Sequence, residues 1–351
     1  MMRIEAALYE LTPTHRFGIS REMRTVSPTV LLKVTRQDIT AYGEAFPSTR
    51  YEGPASEHFQ MLRDLAWDRI TPYFEQYRPA VFSRFCRAFF REIDSLIAGM
   101  TTIYYDYFAR RFEVPAGTLL GLEGLALPQS SFTIGLDTPE VIRQKVTEAE
   151  QYPILKVKLG TDRDEEIIRT VRDVTDKPLR VDANEGWSRE EAVEKINWLA
   201  EQNVEFVEQP IPAGRFGDMR WLRSRARLPV FADEDCRHVD DLPAMMECYD
   251  GINIKLVKCG GITPALQMIR TARTFGKSVM LGCMTESSAG IAPAVVLGGL
   301  ADYLDLDGNL LLSNDPFSGP RAAGGTFPML SQPGMDVRER EPIHWETVFT
   351  T

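Results

Sequence analysis

The chain has 351 residues, with 40 lysines and arginines against 50 aspartates and glutamates, giving a formal charge of −10 with acids and bases interspersed. That length can bury a large core, as one big domain or two smaller ones, and the acidic balance argues against a nucleic acid or an anionic membrane as partner. The amino terminus, MMRIEAALYELTP, lacks the apolar core of a signal peptide, no window approaches about 18 apolar residues, and five cysteines without close pairs suit reduced thiols, so a cytoplasmic protein is expected.

Residues 1–125 combine strand-like runs, RIEAALYEL and TVLLKVTR, with long helical stretches containing FQMLRDLAWDRI and SRFCRAFFREIDSLIAGM. This predicts an α+β module. From residue 126 to 315 one unit repeats: a short β-rich run, a turn, then an amphipathic helix. The runs are SFTIGL, ILKVKLG, LRVDAN, EFVEQP, PVFADED, GINIKLVK, SVMLGCM and DYLDLDG. Helix starts are readable between them, at Thr138-Pro139-Glu140 and at the Ser188 to Glu191 capping box. Roughly eight strands alternating with helices predict a closed parallel (β/α) barrel. An open doubly wound sheet loses its usual motive, since no glycine-rich phosphate loop follows a strand. Residues 316–351 hold too little core for a third domain and are expected to pack back on the amino-terminal module.

Lys156 and Lys158 are two apart in ILKVKLG, and alternation along a strand puts both ammonium groups on one face. Lys158 ends the second strand, Asp182 the third, Glu208 the fourth, Asp233 the fifth and Lys255 the sixth. They follow one another by 24, 26, 25 and 22 residues, one β/α unit each. Equivalent places in successive units meet at one rim, and active sites of such barrels lie at that carboxyl-terminal rim. Each acid alone reads as a solvated residue at a strand end. Together, three carboxylates in a low-dielectric barrel repel unless a cation compensates them, and oxygen donors without histidine or thiolate favour magnesium. His15, His58, His238 and His344 occupy none of these strand ends, which argues against zinc.

The second and sixth strands lie opposite each other in an eight-strand ring, so Lys158 and Lys255 are expected to face the two sides of a bound substrate. The Lys156 charge is expected to lower the proton affinity of Lys158 and favour a neutral base. A carboxylate on magnesium acidifies its α-proton, which one lysine removes while the other returns a proton to the opposite face. Arg180 is expected to point inward and to pair with a metal-binding carboxylate. Lys258 reads as solvated or salt-bridged, Glu234 as turned away from the rim, and Asp235 as further out.

Collectively KVKLG, VDAN, EQP, ADED, NIKLVKCGGI and GCMTES resemble the muconate-lactonising branch of the enolase superfamily, over essentially the whole chain. The resemblance implies a modified (β/α)7β barrel with an N-terminal α+β capping domain closed by the carboxyl-terminal tail. It implies that Asp182, Glu208 and Asp233 bind one magnesium ion per subunit, that Lys158 and Lys255 are the acid/base pair, and that Lys156 fills the accessory first position of a K-x-K motif. DYLDLDG narrows the activity, because epimerases of the L-Ala-D/L-Glu kind carry a D-x-D after the eighth strand whose acids hold the substrate α-ammonium. Asp305 and Asp307 match it. A dipeptide presents that ammonium about 6–7 Å from its carboxylate, roughly two extended residues' reach.

In this family side chains are read partly by capping-domain loops, here around residues 15–28 and 43–55. Arg24, or else Arg16 or Arg21, would meet an acidic side chain. The expectation is therefore a magnesium-dependent dipeptide epimerase, a homo-oligomer working by 1,1-proton transfer at the α-carbon of the C-terminal residue of an Ala-Glu-type or small apolar dipeptide. o-Succinylbenzoate synthase, muconate cycloisomerase and N-acylamino acid racemase share the machinery, but their substrates lack a free α-ammonium. A noncatalytic small-molecule-binding barrel is the alternative from another class, against which the intact acids and lysines count.

Overall fold

The computed structural model describes residues 1–19 and 22–351. The chain opens with β1 (Met2–Leu11), a small hairpin of β2 (Phe17–Ile19) and β3 (Glu22–Arg24), then β4 (Ser27–Arg36) and β5 (Ile39–Ala45). β4 runs antiparallel between β1 and β5. Alternation sorts β4 cleanly: Val30, Leu32 and Val34 pack with the helices that follow, while Leu31 joins Ala7 in the core shared with the barrel. The sheet is therefore covered on both faces.

Three helices form that outer layer: α1 (Ala55–Arg63), α2 (Pro79–Phe89) and α3 (Asp94–Arg111). The stretch read as helical through residue 70 stops as a helix at Arg63, and Trp67–Arg69 is only a 3₁₀ turn. The stretch read through residues 83–100 is two helices. Arg91 and Glu92 between them take φ of +53° and +64°, which no right-handed helix tolerates. α3 lies against β5 at a glycine pair: a Cβ on Gly43 would sit 2.3 Å from the carbonyl oxygen of Gly99. Apolar periodicity cannot announce such contacts, because α3 is buried on nearly every side.

Eight parallel strands follow in strict order: β6 (Phe132–Ile134), β7 (Leu155–Lys158), β8 (Leu179–Asp182), β9 (Val204–Glu208), β10 (Val230–Ala232), β11 (Gly251–Lys255), β12 (Ser278–Gly282) and β13 (Tyr303–Asp305). The ring is nearly closed, with Ser131 N donating to the Leu304 carbonyl at 3.0 Å. The helices between strands are α4 (Pro139–Glu148), α5 (Asp164–Arg172), α6 (Arg189–Leu199), α7 (Phe216–Arg223), α8 (Leu242–Met245), α9 (Leu256–Cys259), α10 (Ile262–Thr274) and α11 (Ser288–Leu297). The Ser188 and Glu191 capping box forms at α6 as the sequence predicts. Val157, Val181, Val207 and Ile254 point outward beneath these helices, so their neighbours Lys156, Lys158, Asp182, Glu208 and Lys255 point into the ring.

The remaining chain carries a two-strand ladder, β14 (Phe317–Ser318) and β15 (Arg338–Glu339), and ends in β16 (Glu346–Thr350). β16 pairs antiparallel with β1, Arg3 opposite Thr350. Among the described residues no helix is long and apolar enough to cross a membrane.

Candidate active site

Strand register brings the charged ends together. Lys158 stands beside Asp182, and Asp182 beside Glu208; Asp233 follows β10 directly and Lys255 ends β11. Ligand oxygens of Asp182, Glu208 and Asp233 lie within 4.8 Å of one another, and all three residues are buried. Around them stand four ammonium groups. Lys158 Nζ is 2.7 Å from Asp182 Oδ2, Lys255 Nζ 3.0 Å from Asp233 Oδ2, and Lys258 Nζ 2.5 Å from Asp233 Oδ1. Lys156 Nζ, 1 % exposed, lies 3.2 Å from Asp182, 2.6 Å from Glu208 and 2.8 Å from Asp305.

These neighbours set the electrostatics. Burial raises the Asp182 carboxyl, but the Lys158 and Lys156 charges outweigh it and hold that group at about 2. Burial likewise opposes ionisation of Asp233, and Lys255 with Lys258 overcomes it and holds the carboxyl well below its usual range. Glu208 goes the other way, pushed up to about 7 by burial and by the Asp182 charge against the pull of Lys156. Burial disfavours the charged form of Lys255 and Lys156, yet the surrounding carboxylates keep both above the ordinary lysine value. Lys156 is thus the counter-ion at the floor of the site, its charge committed to Asp305, Glu208 and Asp182.

The triad fits a hard divalent cation. Its donors are oxygens only, from three adjacent strands, with no nitrogen or sulfur among them. Glu208 Oε2 is buried and accepts no hydrogen bond despite its closeness to Lys156, while Glu208 Oε1 is oriented by Asn253 Nδ2 at 2.7 Å and Asp182 Oδ1 by the Asn184 amide at 3.0 Å.

Above the triad lies a cavity of about 430 Å³ lined by Lys156, Lys158, Lys255, Asp233, Asp305 and Asp307, and by Phe17, Ile19, Phe46, Tyr51, Met284 and Leu311. That is the size and mixture of an apolar pocket with a few convergent polar groups. Asp305 Oδ1 accepts from Ser131 Oγ at 2.7 Å and its Oδ2 from Lys156. Asp307 Oδ2 accepts from the Thr133 amide at 2.6 Å, and burial with the adjacent Asp305 charge pushes its carboxyl up to about 7.

Several sequence expectations need correction. Arg180 does point inward, but two residues below Asp182 is a full layer deeper. There it pairs with Glu205 at 2.8 Å and packs over Phe206 and Tyr303 at the opposite end of the barrel. Glu234 does not turn away: it lines the cavity and accepts from Asn184 Nδ2 at 3.4 Å. β10 ends at Ala232, so strand alternation no longer governs it. Lys258 is salt-bridged as read, though buried rather than solvated. Arg16 leaves the cavity for Asp137 at 3.5 Å and is 61 % exposed. Arg21 lies outside the described residues, as does the side chain of Arg24, whose backbone pairs with Phe17 in the hairpin. Of the two capping loops expected to read side chains, the first contributes Phe17 and Ile19 to the cavity and the second Phe46, Ser48, Thr49, Arg50 and Tyr51. Asn184 and Asn253 were missed; the asparagine in VDAN, beside a triad carboxylate, was the available signal for the first.

Residues 140–338 match the family model described as enolase C-terminal domain-like. The L-Ala-D/L-Glu epimerase of Bacteroides thetaiotaomicron is 36% identical over 331 residues, 94% of this chain and 86% of that protein. The dipeptide epimerase from Cytophaga hutchinsonii, solved with Mg and the dipeptide D-Ala-L-Val, superposes with a TM-score of 0.88 over 99% of both chains at 23% identity. The dipeptide epimerase from Methylococcus capsulatus, solved with Mg and L-Arg-D-Lys, superposes with a TM-score of 0.83 over 95% of this chain and 98% of that one at 26% identity. A triad on three successive strands, lysines on either side, a capped barrel and these likenesses agree: the chain belongs to the enolase superfamily, in the group that carries the dipeptide epimerases.

Proposed function

We propose that this protein is a magnesium-dependent dipeptide epimerase that inverts the α-carbon of the C-terminal residue, with Asp182, Glu208 and Asp233 as metal ligands and Lys158 and Lys255 as the two acid/base groups. The observation that carries the reading is one cavity above a buried all-carboxylate triad, lined by Asp233 of that triad, by the lysines that end β7 and β11, and by Asp305 at the end of β13 with Asp307 just beyond it. Magnesium held by the triad supplies positive charge to the substrate carboxylate, which stabilises the negative charge left when the α-proton departs.

The other steps belong to the chain itself. One lysine takes the proton from one face of the α-carbon, and the lysine across the ring delivers a proton to the other face, giving inversion. Asp307 receives the substrate ammonium, with its second oxygen held in place by the Thr133 amide. Asp305 links that anchor to Lys156, so the ammonium end and the triad share one charge network. In this reading the cap comprises residues 1–125 with 316–351, the barrel residues 126–315, and the two loops of the cap read the substrate side chains.

The test is incubation with a dipeptide library in heavy water. Magnesium-dependent incorporation of deuterium at the α-carbon of the second residue is expected. No incorporation into any dipeptide, with magnesium present, would leave only a binding role.

A further inference from the structure

The loop after β5 crosses the mouth of the cavity, where Phe46, Ser48, Thr49, Arg50 and Tyr51 face the site. No strand or helix holds residues 46–54 in place. Glu52 is tied back to the cap, its Oε1 accepting from the Ser95 amide at 3.0 Å and its carbonyl lying 2.9 Å from His58 Nε2, and side chains of the barrel hold Arg50 and Tyr51. Both terminal nitrogens of Arg50 donate to Glu185, Nη2 to Oε1 at 3.0 Å and Nη1 to Oε2, the fork-to-fork match of guanidinium and carboxylate. Glu185 Oε1 also accepts from the Ala213 amide at 2.8 Å, and the Glu185 side chain is only 10 % exposed.

The backbone that presents Glu185 is unusual. Asn184 and Glu185 take φ of +44° and +66°, two successive left-handed residues with side chains, a conformation found where surrounding structure enforces it. Glu185 N donates to the Gln209 carbonyl at 2.8 Å and Gly186 N to the Ala183 carbonyl at 2.9 Å. Gly186 meets Gly160 so closely that a Cβ would sit 2.4 Å from the Gly160 Cα. This turn begins just after Asp182 and hands Glu185 outward to the cap. On the other side of the mouth the Arg237 guanidinium covers the Tyr51 ring at 4.3 Å and reaches Asp94, at the start of α3, at 3.5 Å. His238 Nε2 lies 2.8 Å from the same Asp94 oxygen. The cap loop is thus tied to two barrel loops, each of which begins at a triad carboxylate.

We propose that Arg50 is a positioning residue for the epimerisation, its two-point pair with Glu185 clamping loop 46–52 over the cavity so that Phe46 and Tyr51 close on the substrate and water is excluded. The inference rests on the epimerase reading. Because the turn after Asp182 keeps its own backbone hydrogen bonds, the clamp acts on the loop and not on the metal site.

The test compares Arg50→Ala, Arg50→Lys, Arg50→Glu, Glu185→Arg and the double variant Arg50→Glu/Glu185→Arg, all loaded with magnesium. Arg50→Ala is expected to raise the dipeptide KM about tenfold, the scale of one charge-assisted pair, with magnesium affinity by calorimetry within about threefold of the parent. Amide exchange of residues 46–52 should speed up in step, Arg50→Lys should fall between, and the double variant should recover part of the KM and protection lost in either single reversal, since the swap restores the ion pair but leaves the Ala213 amide without its acceptor. Unchanged KM and unchanged protection in Arg50→Ala, or a double variant no better than the worse single one, would overturn the clamp. Protection is read without turnover, so a parent protein that exchanges no dipeptide sinks the epimerase reading alone, and the clamp is still judged by the loop.

Discussion

At the scale of single residues the site is a balance of ammonium groups and carboxylates, and its members differ in what they are free to do. Lys156 touches three carboxylates at the floor, whereas Lys158 and Lys255 each hold one and face the cavity. Replacing either of the latter two should therefore remove one face of the proton transfer and spare the other. Lys158→Ala is expected to abolish α-proton exchange from one substrate epimer and Lys255→Ala from the other, read by deuterium incorporation into separate L,L and L,D dipeptides. Loss of magnesium affinity in both with exchange otherwise intact would contradict this division. Asp307 is the acid suited to the substrate ammonium, since Lys156 and Ser131 already occupy Asp305. Asp307→Asn should raise the dipeptide KM by about ten- to a hundredfold, the scale of a charge-assisted hydrogen bond; an unchanged KM in steady-state kinetics would remove the ammonium assignment.

The residues legible in the sequence are those whose direction a strand dictates. Asp182, Glu208 and Lys255 are the last residues of β8, β9 and β11, so period-two alternation and a repeat of one β/α unit locate them without coordinates. Glu234 and Glu185 lie beyond strand ends, where turn geometry decides direction and alternation says nothing. Arg180 shows the second limit: alternation gives the face of a strand and leaves the depth in the barrel open.

At the scale of elements, the junction of β5 with the start of α11 joins cap to barrel through two buried acids. Glu44 accepts from Thr29 Oγ1 at 2.9 Å and from the Ser287 amide at 2.9 Å, while Glu286 accepts from the Met284 amide at 2.8 Å. A Cβ on Gly290 would lie 2.7 Å from a Glu286 oxygen and 2.9 Å from a Glu44 oxygen, so both carboxyls crowd the same spot on α11. Burial raises Glu44 to about 7 in spite of its hydrogen bonds, and burial plus the Glu44 charge raises Glu286 to about 8. Raised folded-state values mean that the folded chain binds protons the unfolded chain has lost, so stability present below about pH 4.5 declines as pH rises toward 8. Glu286→Gln removes one of these ionisations at nearly constant volume. It should flatten the decline between pH 5 and pH 8, on the order of 2 kcal/mol by urea unfolding at the alkaline end. A slope identical to the parent's would show that the pair does not share a titration.

This junction was illegible in the sequence. Glu44 and Glu286 are 242 residues apart, the first in a segment read as a capping-domain loop and the second within GCMTES, and only tertiary packing buries them. The break between α2 and α3 was hidden for a related reason, because Arg91 and Glu92 are ordinary helix formers whose positive φ is imposed from outside. Repeating units were legible because each carries its own periodicity and caps.

At the scale of the whole molecule the chain closes on itself twice. β16 lies on β1, so the last strand completes the first sheet, and the ring of strands brings Asp182, Glu208 and Asp233 from three separate units to within one ion's reach. The unfolded chain has no such constellation, so binding of magnesium is bound up with folding of the barrel. At a magnesium concentration a hundred times its dissociation constant the linkage is about 2.7 kcal/mol. In a chain of 351 residues that corresponds to a rise in melting temperature of about 3–5 °C, at about 1–2 °C per kcal/mol from an unfolding entropy of about 2.1 cal/mol/K per residue. The parent protein should melt higher in magnesium than in chelator, and Asp182→Asn, which keeps the side-chain volume but removes one charged donor, should lose most of that difference. Lys158→Ala should keep it, because the lysine contributes no donor. If Asp182→Asn shows the full magnesium shift, the ion sits elsewhere, and the chemistry assigned to the lysines loses the charge that makes the α-proton removable.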